Sequence, residues 1–224
     1  STITNVGSVA NTITGVTAAA GTDLNDYAFT YKPGTLTVTN ATLTGVTLTG
    51  GSWTYSGTAH SATLTGTHTG DTVVYRTSTD DGLTWSDWGS AVPSVTHVSD
   101  GPMKVEVKVS RANYNDATAS ATIAVTAKAI ELTADSDSWT YDGSAHTLHT
   151  YTRTSGSFIG SEDIASATFD TASTITNVGS VANTITGVTA KAGTDANDYA
   201  FTYKTGTLTV TNATITDVTL TGGS

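Results

Sequence analysis

Cysteine and glutamine are absent from the 224 residues, proline occurs three times and methionine once. Without cysteine there are no disulfides, thiolate metal sites or cysteine nucleophiles, so the fold must rest on packing. Without glutamine, a Thr-to-Gln ester cross-link is excluded. Basic charge is scarce as well: 9 Lys and Arg stand against 19 Asp and Glu, a net charge of −10. That balance leaves no basic footprint for phosphates and sets the chain against nucleic acid and anionic membrane surfaces. No stretch approaches the ~20 apolar residues of a membrane span, so no membrane insertion is expected within these residues. Ser1 to Gly7 lack the charged and apolar blocks of a signal peptide. Any targeting or anchoring segment is therefore expected outside this stretch.

What is present is threonine, at about fifty residues, in a chain that is 37% apolar. The usual apolar share is ~45–50%, but the threonine methyl packs and its branched β-carbon favours strands. The composition predicts a folded, β-rich chain.

Internal repetition dominates the rest. Residues 1–52 recur as residues 173–224 with five changes, Ala19 to Lys191, Leu24 to Ala196, Pro33 to Thr205, Leu43 to Ile215 and Gly45 to Asp217. Half of this 172-residue period is visible too, because SWTYSGTAH at Ser52–His60 matches SWTYDGSAH at Ser138–His146. Two divergent repeats thus alternate at a spacing of 86 residues, each closing on a strand of the form (T/S)xT(L/I)xVT. The expected division is residues 1–40, the C-terminal half of a second-type repeat; 41–127, a complete first-type repeat; 128–212, a complete second-type repeat; and 213–224, the start of another first-type repeat. On this division the chain reads as a frame cut from a longer array.

Period-two alternation gives the strands. Met103, Val105, Val107 and Val109 share one face of Met103–Ser110, with Lys104, Glu106 and Lys108 on the other. Further strands are expected near 54–55, 62–66, 72–77, 121–126, 130–133, 147–153, 165–169, 183–188, 199–203 and 207–211. Asp81-Gly82, Asp100-Gly101 and Asp142-Gly143 supply tight turns. The junctions at Val38–Leu43 and Val125–Leu132 contain neither glycine nor proline, so little bending is expected there. The expected fold is all-β, tandem small Ig-like β-sandwiches in an elongated rod; β-grasp-like units with a short helix are the alternative.

Several patterns bear on chemistry. STDDGLTW, Ser78–Trp85, satisfies the SxDxGxTW Asp-box and resembles the motif of sialidase-like propellers, where it is a hairpin turn remote from catalysis. It occurs once, and a propeller needs several blades, so a structural hairpin is expected. His60 and His146 recur at equivalent places. His149 makes an HxxH pair with His146, but Thr63 replaces it in the first-type repeat, and zinc needs three or four ligands. Asp135, Asp137 and Asp142 are calcium candidates by oxygen chemistry, although their spacing forms no EF-hand loop. The GTDLNDY and GTDANDY loops, at Gly21–Tyr27 and Gly193–Tyr199, invite the same idea. The lysines that could form isopeptide bonds are Lys104, Lys108, Lys128, Lys191 and Lys204. Trp85 and Trp88 are the candidates for gripping a glycan or a host protein. Glutamate occurs only as Glu106, Glu131 and Glu162, and neither a GxSxG elbow nor a GxxxxGK(S/T) loop is found. No catalytic residue and no cofactor is expected.

WTYDGSAH, the stretch NVGSVANTITGVTA at Asn177–Ala190 and NDYAFTYKTGTLTV at Asn197–Val210 are similar to the MBG and YDG-type repeat modules of large bacterial surface proteins. Ser56 departs from the pattern at the YDG aspartate. The resemblance covers essentially the whole chain and implies an extracellular, bacterial cell-surface adhesin or fibre. In it these modules would be stalk spacers projecting a distal binding region, with neighbouring repeats, and other copies in a fibre, as partners. The alternative is an adhesin module that binds through Trp85 and Trp88.

Overall fold

The computed structural model describes residues 1–223, and the chain in it is all-β. The strands run β1 (Gly7–Asn11), β2 (Gly34–Val38), β3 (Ala41–Thr42), β4 (Thr47–Thr49), β5 (Gly51–Thr54), β6 (His60–Ser61), β7 (Thr63–Thr65) and β8 (Thr72–Ser78). They continue with β9 (Ser94–Val95), β10 (Met103–Ser110), β11 (Tyr114–Asn115), β12 (Ala117–Thr126), β13 (Lys128–Ala134) and β14 (Asp137–Thr140). The last are β15 (Tyr151–Ser155), β16 (Ile164–Phe169), β17 (Gly179–Asn183), β18 (Ile185–Ala190), β19 (Tyr199–Lys204) and β20 (Gly206–Thr211). Among the described residues the only helical pieces are 3₁₀ turns at Leu24–Asp26, Val98–Asp100 and Ala196–Asp198, so the helix of a β-grasp has no counterpart.

The chain divides into two compact units. One contains Ser1–Gly50, Ser61–Pro93 and Lys104–Thr122; the other contains Gly51–His60, Ser94–Met103 and Ile123 onward. In the first unit β8 and β10 pair antiparallel, with Val107 opposite Tyr75. Val105, Val107 and Val109 are fully buried while Lys104, Glu106 and Lys108 are not, as the alternation in the sequence requires. β1 and β2 pair antiparallel in the same unit, and β3 pairs parallel with β11.

In the second unit β13 lies between β15, antiparallel, and β19, parallel. β20 lies between β17, antiparallel, and β14, parallel, and β16 pairs antiparallel with β18. Ile130, Leu132 and Ala134 form the buried face of β13. Ile175, Leu208 and Val210 form a core cluster with Trp139, Leu148 and Val181 packed on it.

Two strand expectations shift. Residues 183–188 are not one strand, because β17 pairs with β20 whereas β18 pairs with β16, and the chain changes partners at Thr184 between buried Asn183 and Ile185. The strand expected at 147–153 begins only at Tyr151. Before it, His146 bridges to Ile175 and the Leu148 carbonyl accepts from the Asn183 side chain, so these groups serve no regular ladder.

The repeated WTYxGxAH block is also a repeated geometry. Trp53 lies opposite Val125 in a parallel pair of β5 with β12, and Trp139 lies opposite Val210 in a parallel pair of β14 with β20. Tyr55 N–H donates to the Thr126 carbonyl and Tyr141 N–H to the Thr211 carbonyl, each at 2.8 Å. His60 stacks on Trp53 and His146 on Trp139, both with ring centroids 4.7 Å apart. His146 Nε2 is 3.1 Å from Asp142 Oδ1, and His60 Nε2 is 3.4 Å from Ser56 Oγ. The Ser56 departure therefore keeps an oxygen beside the histidine.

Candidate functional site

The most elaborate polar arrangement in the second unit joins four segments that are distant in sequence. Tyr55 follows β5, Glu162 precedes β16, His97 precedes a 3₁₀ turn, and Asp198 and Tyr199 stand where a 3₁₀ turn meets β19. Tyr55 Oη donates to Glu162 Oε1 at 2.7 Å, and Tyr199 Oη donates to Glu162 Oε2. Tyr199 Oη in turn accepts from Ile159 N–H at 3.0 Å. The two phenol rings meet edge to face with centroids 5.5 Å apart, and Phe158 packs on Tyr199 at 4.9 Å.

Asp198 forms the other half. Its carboxylate is fully buried and accepts from His97 Nδ1 at 2.6 Å and from Val98 N–H at 2.8 Å. Asp100 Oδ2 accepts from the backbone N–H groups of Thr96 and His97, fixing the loop that presents the imidazole. The His97 ring also lies against Tyr55, with centroids 5.8 Å apart. Gly57 has φ +72°, and a Cβ there would come within 3.0 Å of Ile159 Cγ2. Left-handed backbone and close approach both favour glycine at that turn.

The surroundings shift the titrating groups. Burial, reinforced by the Glu162 carboxylate, pushes the Tyr199 phenol up to about 12. Burial, with the same carboxylate accepting its hydrogen bond, also raises Tyr55. The hydrogen bond to Asp198 raises His97, against a smaller opposing effect of desolvation.

His97, Asp195 and Asp198 place ligand atoms within 4.8 Å of one another, the one such His/Asp/Glu trio among the described residues. Both Asp198 oxygens already accept hydrogen bonds, and Asp195 Oδ1 accepts from Asn197. The trio therefore has the chemistry of a satisfied ion pair. The expected calcium candidates do not converge. Asp135 accepts from Thr152, Asp137 from the N–H of Ser138, and Asp142 from Ser144 and His146, each within its own surroundings. His149, the second histidine of the HxxH pair, stacks on Phe169 instead of joining His146.

In the first unit, Trp85 and Trp88 enclose Arg76, whose guanidinium carbon is 4.6 Å from each ring centroid. Arg76 also pairs with Glu106 Oε2 at 2.5 Å, and Lys108 Nζ lies 4.9 Å from the Trp88 ring. These cations cover part of the indole surface of the two tryptophans. The Asp-box residues close a turn: Asp80 accepts from Ser78 and from Thr84 N–H and Oγ1, while Tyr75 and Gly89 exchange backbone hydrogen bonds. Lys104 meets Asp81, Lys204 meets Glu131, and Lys191 reaches the Ser161 carbonyl.

No protein-family model matches the chain, and no curated protein matches its sequence. Among solved structures it is similar to the N-terminal four Ig domains of Dscam1 isoform 4.44, at 9% identity and a TM-score of 0.26. The match covers 74% of this chain and 43% of that one. This chain thus spans less than half of that structure, and a likeness at this level carries no functional argument.

Proposed function

We propose that the chain is a structural stalk or spacer of a bacterial extracellular adhesin or surface fibre, built of tandem small Ig-like sandwich modules in an elongated rod that projects a distal binding region. The observation that carries this reading is the network of Tyr55, His97, Glu162, Asp198 and Tyr199. With a repeat boundary near Ala127, Tyr55 and His97 belong to one repeat and the other three to the next. A linker of Ala127 alone, between β12 and β13, leaves no flexible tether, and two charge-assisted hydrogen-bonded groups brace the connection. A spacer needs stiffness at that place, and no catalytic residue is assigned.

Small-angle X-ray scattering on the 224-residue chain tests the reading. The expected profile is that of an elongated particle, and a Glu162→Ala/Asp198→Ala double variant is expected to lose stiffness, seen as a broadened distribution of particle lengths. A compact, spherical profile for the unaltered chain would overturn the proposal.

A further inference from the structure

Residues 1–40 and 173–212 differ at three positions, Ala19/Lys191, Leu24/Ala196 and Pro33/Thr205, yet they form different amounts of structure. The parts that depend only on the segment itself are the same in both. Gly7 to Asn11 pair with Val38 to Gly34 as Gly179 to Asn183 pair with Val210 to Gly206, in identical register. Asp23 and Asp195 each cap a 3₁₀ turn in the same way. What differs is everything that needs Lys128–Ala172. β18 forms against β16 and β19 forms against β13, whereas the equivalent residues 13–18 and 27–32 form no strand.

Burial follows the pairing. Tyr199 is 4% exposed and its twin Tyr27 is 61% exposed; Ile185 is 3% exposed and Ile13 is 52% exposed. Val16, Leu24, Tyr27 and Phe29 line an open hollow of about 270 Å³. In the second copy, Phe158 packs on the equivalents Tyr199 and Phe201, and Ile164 pairs with Ala190. Gly206 is held to glycine because a Cβ would meet the carbonyl oxygens of Ala134 and Asp135, each at 2.4 Å. Its twin Gly34 would meet nothing nearer than Asn11 at 3.9 Å. Among the described residues, the close backbone approach that holds position 206 to glycine has no counterpart around Gly34.

We propose that the open face of residues 1–40 is a docking site for a polypeptide segment with the sequence of Lys128–Ala172, supplied by a further repeat. A second copy of residues 1–224 alone is the wrong source on stoichiometric grounds. These residues carry two acceptor stretches, 1–40 and 173–212, and one covering stretch, 128–172. Exchange between copies of them moves the cover from one acceptor to another without adding any. The occupant brings Phe158 and Ile164 into the hollow, the strand equivalent to β13 beside residues 27–32, and Ile159 N–H to the Tyr27 hydroxyl. The proposal rests on the repeat reading and not on rod shape, so it stands or falls separately from the scattering result.

Hydrogen exchange on the full chain tests it in two arms. In one, a separate polypeptide of sequence 128–172 is added; in the other, the same sequence is joined directly ahead of Ser1, which raises its effective concentration and removes dependence on the solubility of a free segment. In the joined form the amides of residues 13–18 and 27–32 are expected to slow by roughly tenfold or more, with little change at 185–190 and 199–204. Ile130→Asp/Leu132→Asp changes within the joined segment only should abolish the slowing. Unaltered exchange in the joined form overturns the proposal. So does protection of 27–32 in the unextended chain together with a dimeric mass, which would make a second copy the occupant.

Discussion

The hydroxyl of Tyr55 and the carboxylate of Glu162 lie 107 residues apart in the chain and 2.7 Å apart in the fold. Because Glu162 also accepts from Tyr199, one carboxylate satisfies two buried phenols. Removing it leaves two donors without partners, and an unsatisfied buried group costs about 1–3 kcal/mol. Glu162→Ala is therefore expected to destabilise the second unit by about 2–4 kcal/mol, and Tyr55→Phe by about 1–2 kcal/mol, measured by urea denaturation. Equal, negligible effects for both would mean that the network is not formed in solution.

The same phenols set an alkaline limit. Both are raised above 10.0 in the folded chain, Tyr199 to about 12, so folding favours their protonated forms. Their contribution is complete below pH 10 and is lost as pH rises through the folded values. Stability should fall from about pH 10 upward, and a Tyr55→Phe/Tyr199→Phe chain should lose less of its remaining stability over that interval. Absorbance of tyrosinate during the titration reports the ionisation directly.

His97 acts near neutrality. Its pKa is raised above 6.5 by Asp198, with Asp100 and Asp195 adding to the effect. A raised pKa means that the protonated ring contributes stability fully below pH 6.5, and that this contribution is lost as pH rises through the folded value. The side chain is 44% exposed, so solvent screening keeps the effect small. Thermal melts between about pH 5 and about pH 9 should show the unaltered chain losing more than His97→Gln does. Parallel pH profiles would sink this assignment. A histidine NMR titration gives the folded pKa independently.

How much of this was legible depends on how local each feature is. Val105, Val107 and Val109 announce their shared face through simple alternation, and the structure buries all three. The WTYxGxAH repeat marks a landmark, but its parallel pairing with β12 and β20 joins residues some seventy positions apart, which no local pattern encodes. The site was hidden for the same reason, since Tyr55, His97, Glu162 and Asp198 come from four segments. Two signals pointed toward it: Glu162 is one of three glutamates, and the Asn-Asp-Tyr triplet recurs at 25–27 and 197–199. Trp85 and Trp88 were legible as a pair, whereas their partner Arg76 lies on β8, where only the fold places it between them.

Asn183 tests the tie between the two halves of the second repeat. Its fully buried amide donates to the Asp135 carbonyl at 2.8 Å and to the Leu148 carbonyl at 2.9 Å, clipping the β13–β14 connection to the chain ahead of β15. Asn183→Ala leaves both carbonyls unpaired and is expected to cost about 2–4 kcal/mol. The equivalent Asn11→Ala should cost under about 0.5 kcal/mol, because Asn11 is exposed. Paired urea denaturation curves check the contrast; equal losses at the two sites would refute the role given to Asn183.

Arg76 offers an optical test in the first unit. Its guanidinium lies between the Trp85 and Trp88 rings and bonds Glu106, so truncation removes two cation–π contacts and a charge pair together. At ~0.5–1 kcal/mol per partly exposed cation–π contact, Arg76→Ala is expected to destabilise by about 1–2 kcal/mol. It should also red-shift tryptophan emission as water reaches the vacated ring faces. Arg76→Lys keeps the charge but loses the planar stack, and should recover only part of the loss. If Arg76→Ala instead leaves emission and stability unchanged, Arg76 does not cover the two rings in solution, and the reading of Trp85 and Trp88 as glycan contacts gains support.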